Sequence, residues 1–510
     1  MSLDLAFGIA RTGLLATQQA LANVSQNIAN ARTEGYTRKQ VDMAATAWGG
    51  QPMGVRAGAA MRTVDAALLN ERNARAADAA AATLRENLLT GIEAAHGTPE
   101  AGDTLGDGVA ALQSAFLAMR DSPADAGLQR QALGVARDLA ARFGDVARAV
   151  AGAREQAHAG IASEVALLNQ EVRFVAALSA QIVATRATGA STAELEDRRD
   201  AAIAKLSETL PVRPILRADG GMTLVAGGIN LPLDPQRDIF SFAQNAIGPA
   251  SFHGGAGTLA GVMMLGTDVT ERLSGGRLGE LVRLRDQTLP RFAAEVDVAA
   301  GALAARMDAQ GLRLFTDGAG ALPDMTQPYA APTAGQIGFA MRMQVNPAVA
   351  SDPHLLRDGT HAVAATPGGP TAFTPNPATG PAGFTVLVDR VTSFALGEEA
   401  SAGNPWPAFP SSGLGPDGTL ASPFFAPRDM AGFAAALSAA QVADRAEASA
   451  AKERAASLRD GLDARFAAQS GVSTDAEMAA LVQLQNAYAA NARVMNTTQE
   501  MWNLLLTIGR

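Results

Sequence analysis

At 510 residues the chain exceeds what one ordinary hydrophobic core accommodates and should divide into two to four domains. Hydrophobic residues make up 48% but aromatics only 5%, an alanine-rich balance that favours helices in need of partners, since alanine propagates helix yet buries little area. The net charge of −9 argues against nucleic-acid binding, and the absence of cysteine removes disulfides and thiolate metal sites.

Asp4 and Arg11 interrupt the opening stretch, so no cleavable signal pattern is read there, and no segment reaches the roughly 20 apolar residues of a membrane helix. Taken alone this predicts a soluble cytoplasmic protein. Proline maps where long helices can run, because an interior proline costs a helix about 3 kcal/mol. Residues 1–51, 124–210 and 428–510 contain none, whereas 16 of the 25 prolines fall in 323–427.

The first element is a helix. Phe7, Leu14, Leu21 and Ile28 recur every seven residues, with Ala10, Thr17, Val24 and Ala31 between them, which is a heptad seam. Gly35 is its natural stop. Gln40–Met61, punctuated by Trp48-Gly49-Gly50 and Pro52-Met53-Gly54, predicts an extended linker or short hairpin. Residues 62–96 read helical, Asp103–Gly108 reads as a turn, and Leu112, Phe116 and Met119 mark a helix ending near Asp121. Leu128–Thr185 is long, alanine-rich and apolar at helical spacing, as in a bundle.

The character changes at Pro211. Val212–Leu216 and Met222–Val225 flank Asp219-Gly220, a β-hairpin signature, and Ile229–Leu233 and Thr258–Leu265 supply further strands. Helix returns over 277–311, with Pro290 as a kink or restart. From 312 to 429 the chain is rich in proline and glycine, and Ile337–Val345 and Phe384–Val388 suggest strands of a re-entered β domain. Residues 430–468 are helical. Thr474-Asp475-Ala476-Glu477 reads as a capping box opening a last helix. That helix carries Leu481, Leu484, Tyr488, Asn491, Met495, Thr498, Trp502 and Leu505 in steps of three and four.

The expected fold is therefore α+β and multidomain. The terminal helices (1–40 and 471–510) close on each other as a coiled coil. A helical bundle is drawn from 41–210, 277–311 and 430–470, with an inserted, mainly β domain drawn from 211–276 and 312–429.

Little in the sequence suggests chemistry. The five histidines show no i, i+4 pairing, none of the three lysines follows a phosphate-loop pattern, and Gly-x-Ser-x-Gly is absent. No catalytic, cofactor-binding or metal-binding residue is assigned. The acidic run around Glu196 and Asp197 reads first as a solvated helix face. So do Asn23, Asn27 and Asn30 on the first helix, with Asn30 near its end.

Several ordered runs carry a resemblance. The first is Asn27-Ile-Ala-Asn30-Ala-Arg-Thr33-Glu-Gly35-Tyr36-Thr-Arg-Lys-Gln40, and the last runs from Gly471 through Leu481, Gln485, Tyr488 and Met495 to Leu505. Both resemble the terminal signatures of bacterial flagellar axial proteins, the rod, hook and hook–filament junction family. Arg32-Thr33 stands where that family usually has Asn-Thr, and Glu34 where it usually has proline. Ser122-Pro123 with Arg130-Gln131, Leu195-Glu-Asp197-Arg-Arg199-Asp200 leading to Leu206, and Ser274 to Pro290 are similar to the junction branch of the family.

The resemblance implies a structural, non-enzymatic protein, exported by the flagellar secretion apparatus and polymerising at the distal end of the hook as adaptor to the filament. Implied partners are further copies of the chain, the hook protein, a second junction protein and an export chaperone on the C-terminal helix, with neither nucleic acid nor membrane. The implied assembly surface comprises Leu14, Leu21, Asn23, Asn27, Ile28, Asn30, Gly35, Tyr36, Leu481, Leu484, Tyr488, Met495, Trp502 and Leu505. On this reading the asparagines hydrogen-bond neighbouring subunits, and Asn491 and Thr498 leave the terminal helices marginal until assembly. The alternatives are a hook or rod protein, a secreted adhesin that binds through 312–429, and a secreted enzyme, which would need a convergent polar cluster.

Overall fold

The computed structural model describes residues 3–33, 35–48 and 51–508. The expectations that involve Glu34 and the Gly49-Gly50 turn lie outside the described residues. Helix α1 (Leu3–Ala29) ends ahead of Gly35, whose φ of 77° sits in the left-handed region. Strands β1 (Lys39–Trp48) and β2 (Gln51–Arg62) pair antiparallel, so the 40–61 segment forms a long hairpin, with one face laid against α1.

The bundle follows. Helix α2 (Ala66–His96) starts on Asp65, whose carboxylate accepts from the amides of Ala67 and Leu68. Helix α3 (Leu105–Asp121) begins earlier than the sequence suggests. Thr104 and Asp107 form a capping box, so the glycines at 106 and 108 lie inside the helix rather than in a turn. Helix α4 (Ala126–Ala187) runs 62 residues, about 90 Å at 1.5 Å per residue. Helix α5 (Ala193–Thr209) turns back along it.

The β lobe is two small antiparallel sheets. Strands β3 (Arg213–Leu216), β4 (Met222–Ala226) and β5 (Ile229–Leu231) form one, and β6 (Phe240–Phe242), β7 (Val262–Met264) and β8 (Thr267–Asp268) form the other. Helices α6 (Gly276–Arg283) and α7 (Leu289–Ala309) are joined by a π-helical turn over Leu284–Thr288. Pro290 has no amide hydrogen and crowds the preceding turn, and the wider turn accommodates it without ending the helix.

Residues 312–429 differ from expectation. They hold the short pairs β9 (Phe315–Thr316) with β10 (Gln344–Val345) and β11 (Glu399–Ser401) with β12 (Asn404–Pro405). Of the segments read as strands, Ile337–Val345 is helix α8 (Phe339–Arg342) followed by β10, and Phe384–Val388 runs, after α9 (Pro347–Ser351) and α10 (Leu355–Asp358), into helix α11 (Val386–Arg390). Their apolar runs are buried pieces too short for periodicity to separate strand from helix. Helices α12 (Met430–Ser470) and α13 (Thr474–Ile508) complete the chain.

Two contiguous cores hold the molecule. One joins α3, the first half of α4, α7 and the start of α12 to the 312–429 segment through residues such as Phe116, Phe143, Leu303, Phe315, Leu356, Val391 and Phe433. The other joins α2, the second half of α4, α5 and α6 to the β lobe. Helices α2 and α12 run antiparallel, matched by His96 with Gln441, Glu86 with Lys452 and Arg72 with Asp463. This rod carries the chain from the core to the terminal helices.

Candidate assembly site

Helix α13 lies antiparallel on α1. Asn27 donates to Glu477 near one end, and Gly13 sits against the Asn491 side chain about four turns further along. The approach is close: a Cβ there would stand 3.1 Å from the Asn491 amide, which would have to shift to admit it. The matching residue numbers place Leu3 opposite about Met501, so the last turns of α13 overhang the described start of α1. The exposure follows this register. Leu481, Leu484, Tyr488 and Met495 are half-buried and Thr498 is buried, but Trp502 is 44% and Leu505 56% exposed, beside exposed Met501, Leu504 and Leu506.

On α1 the expected seam residues Leu14, Leu21 and Ile28 are half-buried, while Ala10, Ala16, Thr17, Ala20, Asn23, Val24 and Asn27 are buried. The reason is that α1 has two partners, α13 on one side and the β1–β2 hairpin on another. The asparagines face the hairpin. Asn23 and Asn27 both donate to the Lys39 carbonyl, at 3.1 and 2.9 Å. The Asn27 carbonyl accepts from the Lys39 amide at 3.1 Å and from the Tyr36 hydroxyl at 2.9 Å. Two of the three amides are therefore neither a solvated face nor free for a neighbouring subunit. Asn30 alone stays at the helix end, donating to the Gln26 carbonyl and accepting from Thr33.

Around Asn27 three of the resembling runs converge, those over 27–40, 195–206 and 471–505. From the C-terminal run, Glu477 is 1% exposed at its side chain and accepts from Asn27 and, at 2.6 Å, from Arg38. The expected capping box is thereby corrected: Ser473 takes the cap, accepting from the Ala476 amide, and Glu477 is turned away toward α1. The Arg38 amide also donates to the Ser470 carbonyl at the end of α12.

From the acidic run on α5, Asp197 accepts from the Thr37 hydroxyl at 2.6 Å and amide at 3.2 Å, and pairs with Lys39 at 3.3 Å and Arg62 at 3.2 Å. Arg62 further reaches Glu196 and Asp200, and Lys39 reaches Glu194 at 2.8 Å while its ammonium lies over the Tyr36 ring. The face read as solvated is thus buried, because the hairpin brings two cations to it. Arg199, 2% exposed, points the other way and donates to the Gly220 carbonyl at the β3–β4 turn.

The electrostatics follow from this burial. Desolvation pulls the Lys39 ammonium down, but the Glu194 hydrogen bond and the charges of Asp197, Tyr36 and Glu194 outweigh it and leave it above the ordinary lysine range. Desolvation pushes Asp200 up despite Arg62, and pushes the Tyr36 hydroxyl up despite Lys39. The site is a charged, hydrogen-bonded knot that fixes six segments to one another: α1, the 36–39 turn, β2, α5, the end of α12 and the start of α13. It has the make-up of a mechanical joint. Sequence reasoning missed Thr37, Lys39, Arg62 and the role of Asp197. The available signals were the rarity of lysine and the place of Asp197 within the resembling run.

Elsewhere, His96 and His158 are buried against Gln441 and the Asn245 carbonyl, and His253 pairs with Asp268. Among the described residues no cluster of three or more histidine or acidic side chains is placed to hold a metal ion. None of the described helices is long and apolar enough to cross a membrane.

Residues 92–319 match the flagellar hook-associated protein FlgK helical domain, and residues 464–508 match the flagellar basal body rod FlgEFG protein C-terminal family. In these two segments the chain is similar to flagellar axial proteins of the rod and hook type. The segment 92–319 is FlgK-like. Flagellar hook-associated protein 1 of Salmonella typhimurium and that of Salmonella typhi are each 28% identical to it over 310 residues, covering 55% of this chain and 51% of theirs. The chain thus spans about half the length of the curated relatives it matches. The solved flagellar hook junction protein FlgK from Burkholderia pseudomallei is 20% identical, with a TM-score of 0.40 over 49% of this chain and 47% of its own.

Proposed function

We propose that the chain is a structural component of the bacterial flagellum, polymerising outside the cell at the distal end of the hook and joining hook to filament. The observation that carries this reading is the FlgK helical domain set between a rod-type C-terminal helix and the α1 helix it pairs with. The terminal pair supplies the axial element, leaving an apolar overhang at Met501–Leu506 for the assembled structure to cover. The knot around Asn27 and Asp197 passes load from that pair into the bundle. Further copies, the hook protein and a second junction protein are the partners this role calls for, and an export chaperone would shield the overhang before secretion.

The test is gene deletion followed by electron microscopy and a blot for flagellin in the medium. Bare hooks with flagellin lost to the medium are expected, restored by the wild-type gene but not by Leu484→Asp, which puts a charge into the α1–α13 contact. Missing hooks would move the protein to the rod or hook, and intact filaments would remove the axial role.

A further inference from the structure

A cleft of about 460 Å³ opens between the middle of α4, the start of α7 and loops from both insertions, walled by apolar Val150, Ala151, Ile247, Pro290 and Met341. It lies at a seam between chain segments, where ligand sites concentrate. Gly338 (φ 72°) and Pro249 close one side, and a Cβ on Gly338 would meet Pro249 at 3.3 Å. Arg154 lines this cleft and is only 5% exposed.

Arg154 donates to three backbone carbonyls, of Arg285, Gly248 and Ser251. Those bonds use three of its five N–H groups, and it forms no ion pair with a carboxylate among the described residues. The nearby acids are committed or remote. Asp286 forms a two-pronged pair with Arg285. Asp297 is saturated by the Tyr329 hydroxyl and the amides of Gly338 and Ala340. Glu155 and Arg148 stand exposed at the rim, the latter beside Asp145. Burial holds Arg154 down to about 10, and the charge of Asp286 offsets this only in part.

We propose that this cleft binds a small organic acid with an apolar body, its carboxylate taking the remaining N–H groups of Arg154 and its body lying on the apolar wall. A bound acid would tie both insertions to α4 and α7. This goes beyond the junction role and is independent of it, because binding is read on the isolated chain.

The experiment is titration calorimetry of the purified full chain with octanoate, octanol and octylamine. Octanoate is expected to bind about tenfold or more tighter than octanol, as a charge-assisted hydrogen bond requires, with octylamine weakest. Absence of octanoate binding, or equal affinity for the acid and the alcohol, overturns the proposal. Since an Arg154 variant releases three carbonyls and risks the fold, Ala151→Trp serves to fill the cleft. Loss of octanoate binding at unchanged melting temperature is expected, and binding retained by that variant places the acid elsewhere and overturns the assignment.

Discussion

Asp197 and Glu194 stand three residues apart on α5 and both reach Lys39, yet their weights differ. Glu194 is 62% exposed at its side chain and Asp197 6%. An exposed pair is screened and contributes at most about 1 kcal/mol, whereas removing one partner of a buried set strands the others, at a cost of about 3 kcal/mol or more. Asp197→Ala is therefore expected to lower unfolding free energy by about that larger amount in urea, and Glu194→Ala by under about 1 kcal/mol. Equal effects would contradict the buried knot. A second residue responds to pH. Burial raises Asp297 from 3.8 to about 6 against three donated hydrogen bonds. The folded chain holds that proton more tightly than the unfolded one, so stability falls as pH rises through about 4 to 6 and levels off above. The melting-temperature advantage of wild type over Asp297→Asn should shrink across this window, and a flat difference would remove Asp297 as the titrating group.

Among the elements, buried arginines do a job that strands do in other folds. Arg154, Arg306 and Arg390 each donate to backbone carbonyls of loops that lack a regular ladder, and Arg306 also lies over Trp406 and Phe409. Arg306 and Arg390 in this way tie down parts of 312–429, which has little sheet of its own. The terminal pair is the opposite case. Its contact is one half-buried stripe, and α13 continues past the partner's described start. Hydrogen exchange on the monomer should show amides of 502–508 exchanging at least about tenfold faster than those of 478–495, which themselves exchange faster than those of α4. Uniform protection from 478 through 506 would contradict the overhang.

For the whole molecule, the 312–429 segment is not a removable ornament. Phe315, Phe339, Leu356 and Val391 pack in the same core as Phe116, Phe143 and Leu303 of the bundle. Deleting 312–429 would open that core, so the expected calorimetric result is loss of the main cooperative transition. A trimmed protein melting like the full chain would show that the bundle stands alone. The same packing bears on the adhesin alternative, because binding and assembly cannot be separated by that deletion.

The sequence by itself determined the long helices, since proline-free, alanine-rich spans with apolar positions three and four apart admit little else. It also determined the Asp219-Gly220 hairpin and the order of runs that carries the flagellar resemblance, whereas the first helix ends at Ala29, six residues before the expected stop at Gly35. Only the tertiary structure decided which faces are covered. Asn27 became the hub of a buried network because β1 returns along α1, and Glu477 left its capping role because Asn27 and Arg38 lie within reach. Leu14, Leu21 and Ile28 stay half-buried because α1 serves two partners. Short apolar runs such as Phe339–Arg342 became helices because burial, without a ladder to join, favours the conformation that satisfies its own backbone. Those outcomes depend on segments hundreds of residues apart, and periodicity reports only on neighbours a few residues away.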